Sequence, residues 1–262
     1  MRTGAPARQR SRHSPPALKL LCISDHRDPL VYSPRVKERF GDVDAVIGAG
    51  DLSFDYYDFV LSSLNKPLFF VFGNHNLDHL GHFSQRAASG ALPITGSGLG
   101  PALGGTYVGG RVHTERLRDG TRLLVAGLGG CRRYNDGDNQ FSERAMAWRV
   151  LRMTPRLWFN RIRYGRCLDI LVTHAPPRGI GDREDQPHQG FRAFLRFIRR
   201  FRPRCLIHGH IHLYDRNERR EYHYAGCKVV NAYDHCVVEL GEAPSSSTRN
   251  REKLSANGTV GT

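Results

Sequence analysis

Apolar residues in this chain gather in short, nearly continuous runs. Six of them, LKLLCIS (18–24), VDAVIGAG (43–50), PLFFVFG (67–73), RLLVAGLG (122–129), LDILVTH (168–174) and RCLIHGH (204–210), stand apart along the sequence. Runs of that length without polar alternation predict strands covered on both faces. Helical patterns fall between them, at 34–40, 53–64, 142–151 and 190–202. In the last, Phe191, Phe194, Leu195, Ile198 and Phe201 recur near a 3.6-residue period while Arg192, Arg196, Arg199 and Arg202 fall mostly off that face, so this helix should pack on a sheet. The whole segment 141–166 is helical in pattern, with Ser142 as an N-cap and Pro155 predicting a break or a second helix start. Strands alternating with helices predict an α/β arrangement. No internal repeat interrupts it.

Both ends lack this patterning. Residues 1–17 are rich in Arg, Ser and Pro and residues 242–262 in Ser, Gly and charge, so each should be a disordered tail with little to bury. One folded domain is expected over 18–241, a length that supports a single large core. No apolar run reaches 18 residues, and the first residues carry no apolar stretch after their basic start. A cytoplasmic protein with no membrane partner is the expectation. The six cysteines, at 22, 131, 167, 205, 227 and 236, form no CxxC pair and no zinc-finger spacing, which favours reduced thiols, several of them opening apolar runs as small buried hydrophobes.

Charge changes the picture less than its size suggests. Of the formal +14, the first tail carries +4 and the last +1, which leaves +9 for the body. A solvated, arginine-rich surface is preferred over a dedicated anion-attracting one. The same holds for the seven arginines from Arg144 to Arg166, read as a solvated face rather than a basic face over the active site.

The polar residues of chemical interest stand where the apolar runs end: SD at 24–25, GD at 50–51, GNH at 73–75, TH at 173–174 and HGHIH at 208–212. In α/β sheets that edge is where ligands bind, and the neighbouring glycines allow sharp turns. Carboxylate, amide and imidazole without thiolate suit divalent Mn, Fe or Zn rather than a closed structural zinc site. Each motif taken alone is as compatible with a turn or a hydrogen-bonded loop histidine; the ordered set is what points to a metal site.

In its order, its strand-end placement and its complete GHIH at 209–212, this series resembles the calcineurin-like metallophosphoesterase family, whose pattern is D-x-H, GD, GNH[DE], H and GHxH. The resemblance spans roughly Leu18 to Leu240. It implies a four-layer αββα sandwich of two mixed β-sheets and two divalent metal ions with no organic cofactor. It also implies hydrolysis of a phosphodiester or phosphomonoester by a metal-bridging hydroxide. Carried over by position, Asp51 bridges both metals, Asp25 and His212 serve the first, and Asn74, His174 and His210 the second. His75 is the catalytic residue, contacting the phosphate and protonating the leaving oxygen.

Two motifs depart from the family. Arg27 stands two positions after Asp25, where the family has His. Asp28 or His26 replaces that ligand from a shifted loop path, or the first metal is held weakly by Asp25, Asp51 and His212, or Arg27 itself supplies positive charge toward substrate. Asp28 is preferred because carboxylate is a good ligand for Mn or Fe, although a turn before Pro29 would also use it. Asn76 follows GNH where an acid is common; an amide can orient a ligand but brings no charge. His188, before the basic helix, can touch substrate or metal or can cap the helix. Arg132, in CRRY at 131–134, can meet a phosphate or solvent.

A small phosphoester is therefore the expected partner. Nucleic acid is allowed by the basic helices but lacks a recognisable reading module, so a nuclease or nucleic-acid-binding phosphodiesterase is the first alternative. A catalytically weakened metal or phosphate sensor, motivated by Arg27 and Asn76, is the second. Substrate, native metals and oligomeric state are not specified by the sequence, because one fold hosts many substrates.

Overall fold

The computed structural model describes residues 17–81, 83, 104–117, 120, 122–215 and 217–241. Apart from Ala17, the two tails expected to be disordered lie outside the described residues. In chain order the strands are β1 (Leu18–Ser24), β2 (Ala45–Gly48), β3 (Leu68–Phe70), β4 (Thr106–Tyr107), β5 (Val112–Arg116), β6 (Arg122–Leu128), β7 (Cys131–Arg132), β8 (Gln140–Phe141), β9 (Ile170–Thr173), β10 (Cys205–His208), β11 (Glu221–Tyr224), β12 (Cys227–Asn231) and β13 (Asp234–Leu240). The helices are α1 (Val36–Phe40), α2 (Phe54–Leu64), α3 (Glu143–Tyr164) and α4 (Arg192–Phe201). All six apolar runs form strands: β1, β2, β3, β6, β9 and β10.

One sheet has the order β13-β1-β2-β3-β4 and the other β11-β12-β10-β9-β6-β5, while β7 and β8 pair separately. In the first, β1 to β4 run parallel and β13 antiparallel beside β1. In the second, β12, β10, β9 and β6 run parallel, with β11 and β5 antiparallel at the edges. Alternate strand residues point to opposite faces. Leu20, Cys22, Ile47 and Phe69 from the first sheet therefore meet Val125, Ile170, Val172, Ile207 and Val230 from the second in one buried layer. On the outer face of the first sheet, Leu21, Val46, Leu68 and Phe70 pack against Val36, Phe40, Tyr56 and Val60 of α1 and α2. On the outer face of the second, Leu124, Leu171, Leu206 and Val229 pack against Met146, Met153 and Leu157 of α3 and Phe194 and Phe197 of α4. These three apolar layers bind four structural ones, an αββα sandwich of two mixed sheets. All six cysteines are free thiols.

The segment 141–166 departs from its expectation, because α3 continues through Pro155 without a break. Pro155 removes one helical N–H donor. The loss falls at Leu151, a residue 55% exposed, so water can satisfy the freed carbonyl there; one turn of the same region is also bound by the Thr154 hydroxyl, which donates to Val150 O at 3.2 Å. Ser142 caps the helix as expected, accepting from Ala145 N at 3.2 Å.

The start of α4 has no cap of its own. Glu143, at the start of α3, takes its place: the carboxylate accepts from Arg192 N at 3.1 Å and Ala193 N at 2.6 Å, and it also pairs with Arg132 and Arg196. Two orphan N–H groups and the positive end of the helix are thus satisfied from another element. Replacing Glu143 by Ala should lower unfolding stability by about 1–3 kcal/mol, and Glu143→Gln by less because one amide oxygen can still accept. Chemical denaturation checks this; an unchanged midpoint in Glu143→Ala would show that solvent caps α4 equally well.

Candidate metal centre

Parallel strands from both sheets end on the same side of the sandwich, and the loops that follow them carry the polar residues. Asp25 follows β1, Asp51 lies just past β2, Asn74 and His75 follow β3, His174 follows β9, and His210 and His212 follow β10. One donor atom each from Asp51, His174 and His210 lie within 4.8 Å of one another.

The backbone is bent to achieve this. Asp25, Asp51 and His210 have φ of 65°, 56° and 67°, a left-handed conformation that costs energy for residues with a side chain and is concentrated at functional sites. Glycines make the room. A Cβ on Gly73 would overlap the Asp51 carboxylate and stand 2.6 Å from His174 Cε1; one on Gly50, whose φ is +104°, would stand 2.6 Å from His174 Nδ1; one on Gly209 would overlap Ser24 Oγ and the Asp25 carboxylate.

Hydrogen bonds orient the rings. His174 Nδ1 lies 2.8 Å from Ala49 O; a carbonyl only accepts, so Nδ1 carries the proton. Nε2 then faces Asp51 Oδ2 at 3.2 Å and Asn74 Oδ1 at 3.1 Å. His210 Nε2 donates to Pro187 O at 2.9 Å, which leaves Nδ1 as its free donor atom. The two rings stand 4.8 Å apart. Asp51 Oδ1 accepts from His75 N at 2.8 Å, and both Asp25 oxygens accept from His210 N at 3.0 Å. His212 Nε2 is 3.8 Å from Asp25 Oδ1. Its ring stacks on Tyr233 at 4.8 Å, and its Nδ1 is 3.0 Å from the Tyr214 hydroxyl.

Electrostatics fit a cation. Burial disfavours the charged form of His174, yet the Asp51 carboxylate raises its pKa to about 9. Burial likewise opposes ionisation of Asp51, but the His174 contact prevails and holds it at about 2. Burial, and next the charged His174, push His210 down to about 3 and keep it neutral, as a metal ligand must be. Asp25 is pushed up, first by burial, with neighbouring Asp51 adding to it. Two carboxylates with buried side chains beside imidazole and amide donors suit a divalent metal ion. A cation against His174 Nε2 would stand in for the extra ring proton.

The altered first motif turns away from this cluster. Arg27 donates to Ser53 Oγ at 3.0 Å, pairs with Asp55 and lies over the Tyr32 ring at 4.5 Å. His26 Nδ1 is 2.8 Å from Asp234 Oδ1. Asp28 accepts from Leu30 N at 2.7 Å and pairs with His235. None of the three is brought to Asp51, His174 and His210. Asn76, with φ 52°, donates from its amide to Asp51 O at 3.1 Å, a bond that a carboxylate in its place could not make. His75 is exposed beside the cluster, and its ring has no hydrogen bond to a described residue.

His188 pairs with Asp185, and its ring stands 5.3 Å from that of His210. Arg132 lines a cavity of about 400 Å³ together with Arg133, Tyr134, Glu143 and Gln186. One of its lining residues, Tyr134, accepts from Asn74 Nδ2 at 3.4 Å through its hydroxyl. Sequence reasoning missed two supports. Asn139 donates to Phe72 O at 3.2 Å and so holds the GNH loop, and Asn231 donates to Ile211 O at 2.7 Å and so holds the GHIH loop. Only the polar residue type marked either in the sequence.

Gly73→Ala tests the packing of this centre. It should weaken divalent-metal binding by about ten- to a hundred-fold while leaving the far-ultraviolet circular dichroism unchanged, as measured by titrating metal-stripped protein with Mn. Unaltered affinity would show that the carboxylate and the two rings are not held as tightly as the overlap implies.

Comparison with known proteins agrees with this architecture. The family model of calcineurin-like phosphoesterases matches residues 18–214. No curated protein matches the chain. Among solved structures, TT1561 of Thermus thermophilus is similar at 15% identity with a TM-score of 0.53, over 86% of this chain and 99% of its own. A further crystal structure is similar at 13% identity with a TM-score of 0.54, over 86% and 95%. At those identities the two structures speak for the fold alone; together with the family match over most of the length, the chain belongs to the calcineurin-like phosphoesterase family.

Proposed function

We propose that this chain hydrolyses a small phosphomonoester or phosphodiester at a two-metal centre, with Mn, Fe or Zn as the ions. The observation that supports this best is the convergence of Asp51, His174 and His210, with Asn74 beside His174, in a chain of this family. Asp51, Asn74, His174 and His210 would hold one ion; Asp51, Asp25 and His212 would hold the other. The chemistry such ions supply when bound is Lewis acidity, which makes water a usable nucleophile near neutral pH and offsets charge on the phosphoryl oxygens.

The chain's own residues do the rest. The peptide N–H of His75 is pinned by Asp51, while its ring is free to meet a phosphate and pass a proton to the leaving oxygen. The cavity lined by Arg132, Arg133 and Tyr134 would take the leaving group, with the arginines favouring an anionic one.

Because Arg27, His26 and Asp28 are engaged elsewhere, the Asp25–His212 ion has fewer ligands and is the weaker of the two. Metal-stripped protein titrated with Mn should therefore fill in two steps, with hydrolysis following the second; a single step of two equal ions would contradict this asymmetry.

The direct test is turnover of a nitrophenyl phosphodiester and a nitrophenyl phosphomonoester by Mn-loaded protein. Wild type should hydrolyse one of them, and His75→Ala should lose about 10²–10⁴-fold in rate and Asp51→Ala all measurable activity, both variants remaining folded. Normal metal binding with no hydrolysis under Mn, Fe or Zn would replace this reading with that of a metal or phosphate sensor.

A further inference from the structure

Helix α3 is apolar on two sides. Its inner side, through Met146, Met153 and Leu157, is buried on the second sheet. Its outer side should then be polar, but Ile162 is 86% exposed, Trp148 61%, Leu151 55% and Phe159 49%. At 100° per residue these four and Trp158 fall within one stripe along the helix. Arg152, Arg156 and Arg163 line one flank of it. On the other, toward α4, Arg161 and Arg200 lie over the Trp158 ring at 5.9 and 5.4 Å. Among the described residues no acid pairs with Arg144, Arg152, Arg156, Arg161, Arg163 or Arg200, Glu143 being taken by Arg132 and Arg196; Arg156 and Arg163 lie over the Phe159 and Tyr164 rings at 5.1 and 5.5 Å. The helix itself carries a single acid, Glu143, which is occupied at the start of α4.

We propose that this face docks on the surface of a bilayer containing anionic phospholipid, with α3 lying flat in the interface. Exposed apolar stripes of this kind mark interaction sites. The combination of Trp, Phe, Leu and Ile between rows of arginines that have no acid partner is that of an interfacial helix, where apolar side chains enter the headgroup boundary and guanidinium groups meet phosphate. Charge complementarity selects the occupant. A second copy facing this one across a two-fold axis would bring arginine row against arginine row. A nucleic acid would use the arginines and aromatic rings but has no use for Leu151 and Ile162. Among the described residues no helix is long and apolar enough to cross a membrane. The absence of a spanning run, from which no membrane partner is expected, does not bear on a helix that lies at the surface, and the proposal replaces that expectation.

The chain supplies its own probe, since its two tryptophans, Trp148 and Trp158, both stand on this face. Full-length protein mixed with vesicles of phosphatidylcholine and phosphatidylglycerol should show a blue shift of Trp emission and quenching by lipids brominated on the acyl chains. Neutral phosphatidylcholine vesicles should give little of either. Ile162→Glu should lower partitioning in co-sedimentation by about tenfold or more. Arg152→Gln and Arg156→Gln should each lower it by about fivefold, with circular dichroism and thermal melting reporting that the variants stay folded. These readouts do not depend on hydrolysis, so failure of the hydrolase reading would leave them intact. The proposal is overturned if anionic vesicles leave the emission unchanged, or if Ile162→Glu binds like wild type. It is overturned equally by a dimer in sedimentation whose Trp emission is already blue-shifted without lipid, or by shifts seen with a single-stranded RNA homopolymer and not with vesicles.

Discussion

The packing of one sheet on the other decides where chemistry can stand. Leu20, Ile47 and Phe69 press on Val125, Val172 and Ile207, and that contact sets the ends of β1, β2 and β3 beside the ends of β9 and β10. No one sheet could assemble the donor set: Asp51 and Asn74 come from one, His174 and His210 from the other. The cross-sheet bonds are short and specific, from His174 to Ala49 O and from His210 N to Asp25. They are made by the same groups that would meet a metal. Core packing and site geometry are therefore one constraint, and the left-handed Asp25, Asp51 and His210 are its local strain, tolerated because the surrounding sheets over-determine their positions.

The two halves of the site are supported unequally. Asp51 and Asn74 both touch His174, and His210 is fixed through its own Nε2. Asp25, by contrast, spends both oxygens on the His210 backbone, and His212 stands back from it against Tyr233. Asp25 thus has a structural use apart from any metal: it holds the GHIH turn. That explains how the chain can keep Asp25 while Arg27, two residues on, has been drawn off to Asp55 and the ring of Tyr32.

The long, unbroken apolar runs were legible because burial on both faces leaves no polar alternation to confuse with a helix. The strands that went unread are of other kinds. β5 and β11 are half-exposed edges, β4, β7 and β8 are two residues long, β13 interleaves exposed and buried positions, and β12, though buried, has its apolar run broken by Lys228 and closed by Asn231; such segments are defined by their neighbours rather than by their own pattern. The motif residues were legible through order and strand-end placement. The fate of Asp28 was not, since its partner His235 lies 207 residues away and no local signal announces that pairing. Asn139 and Asn231 act through backbone carbonyls for the same reason. Pro155 misled because the penalty for a missing N–H depends on whether water reaches the carbonyl it abandons, which is a property of the fold.

Net charge gave little information about partners until exposure was joined to it. Spread on a solvated surface, arginine is neutral evidence. On α3 the arginines stand between exposed Trp148, Leu151, Phe159 and Ile162, and the two residue classes constrain each other. Apolar side chains so exposed are unfavourable in water, and guanidinium groups without an acid partner are unfavourable in a purely apolar contact. An environment that suits both would present apolar matter and negative charge within a few ångströms of each other. A protein interior offers the first and an acidic surface the second. The headgroup boundary of an anionic bilayer offers both along the length of a helix.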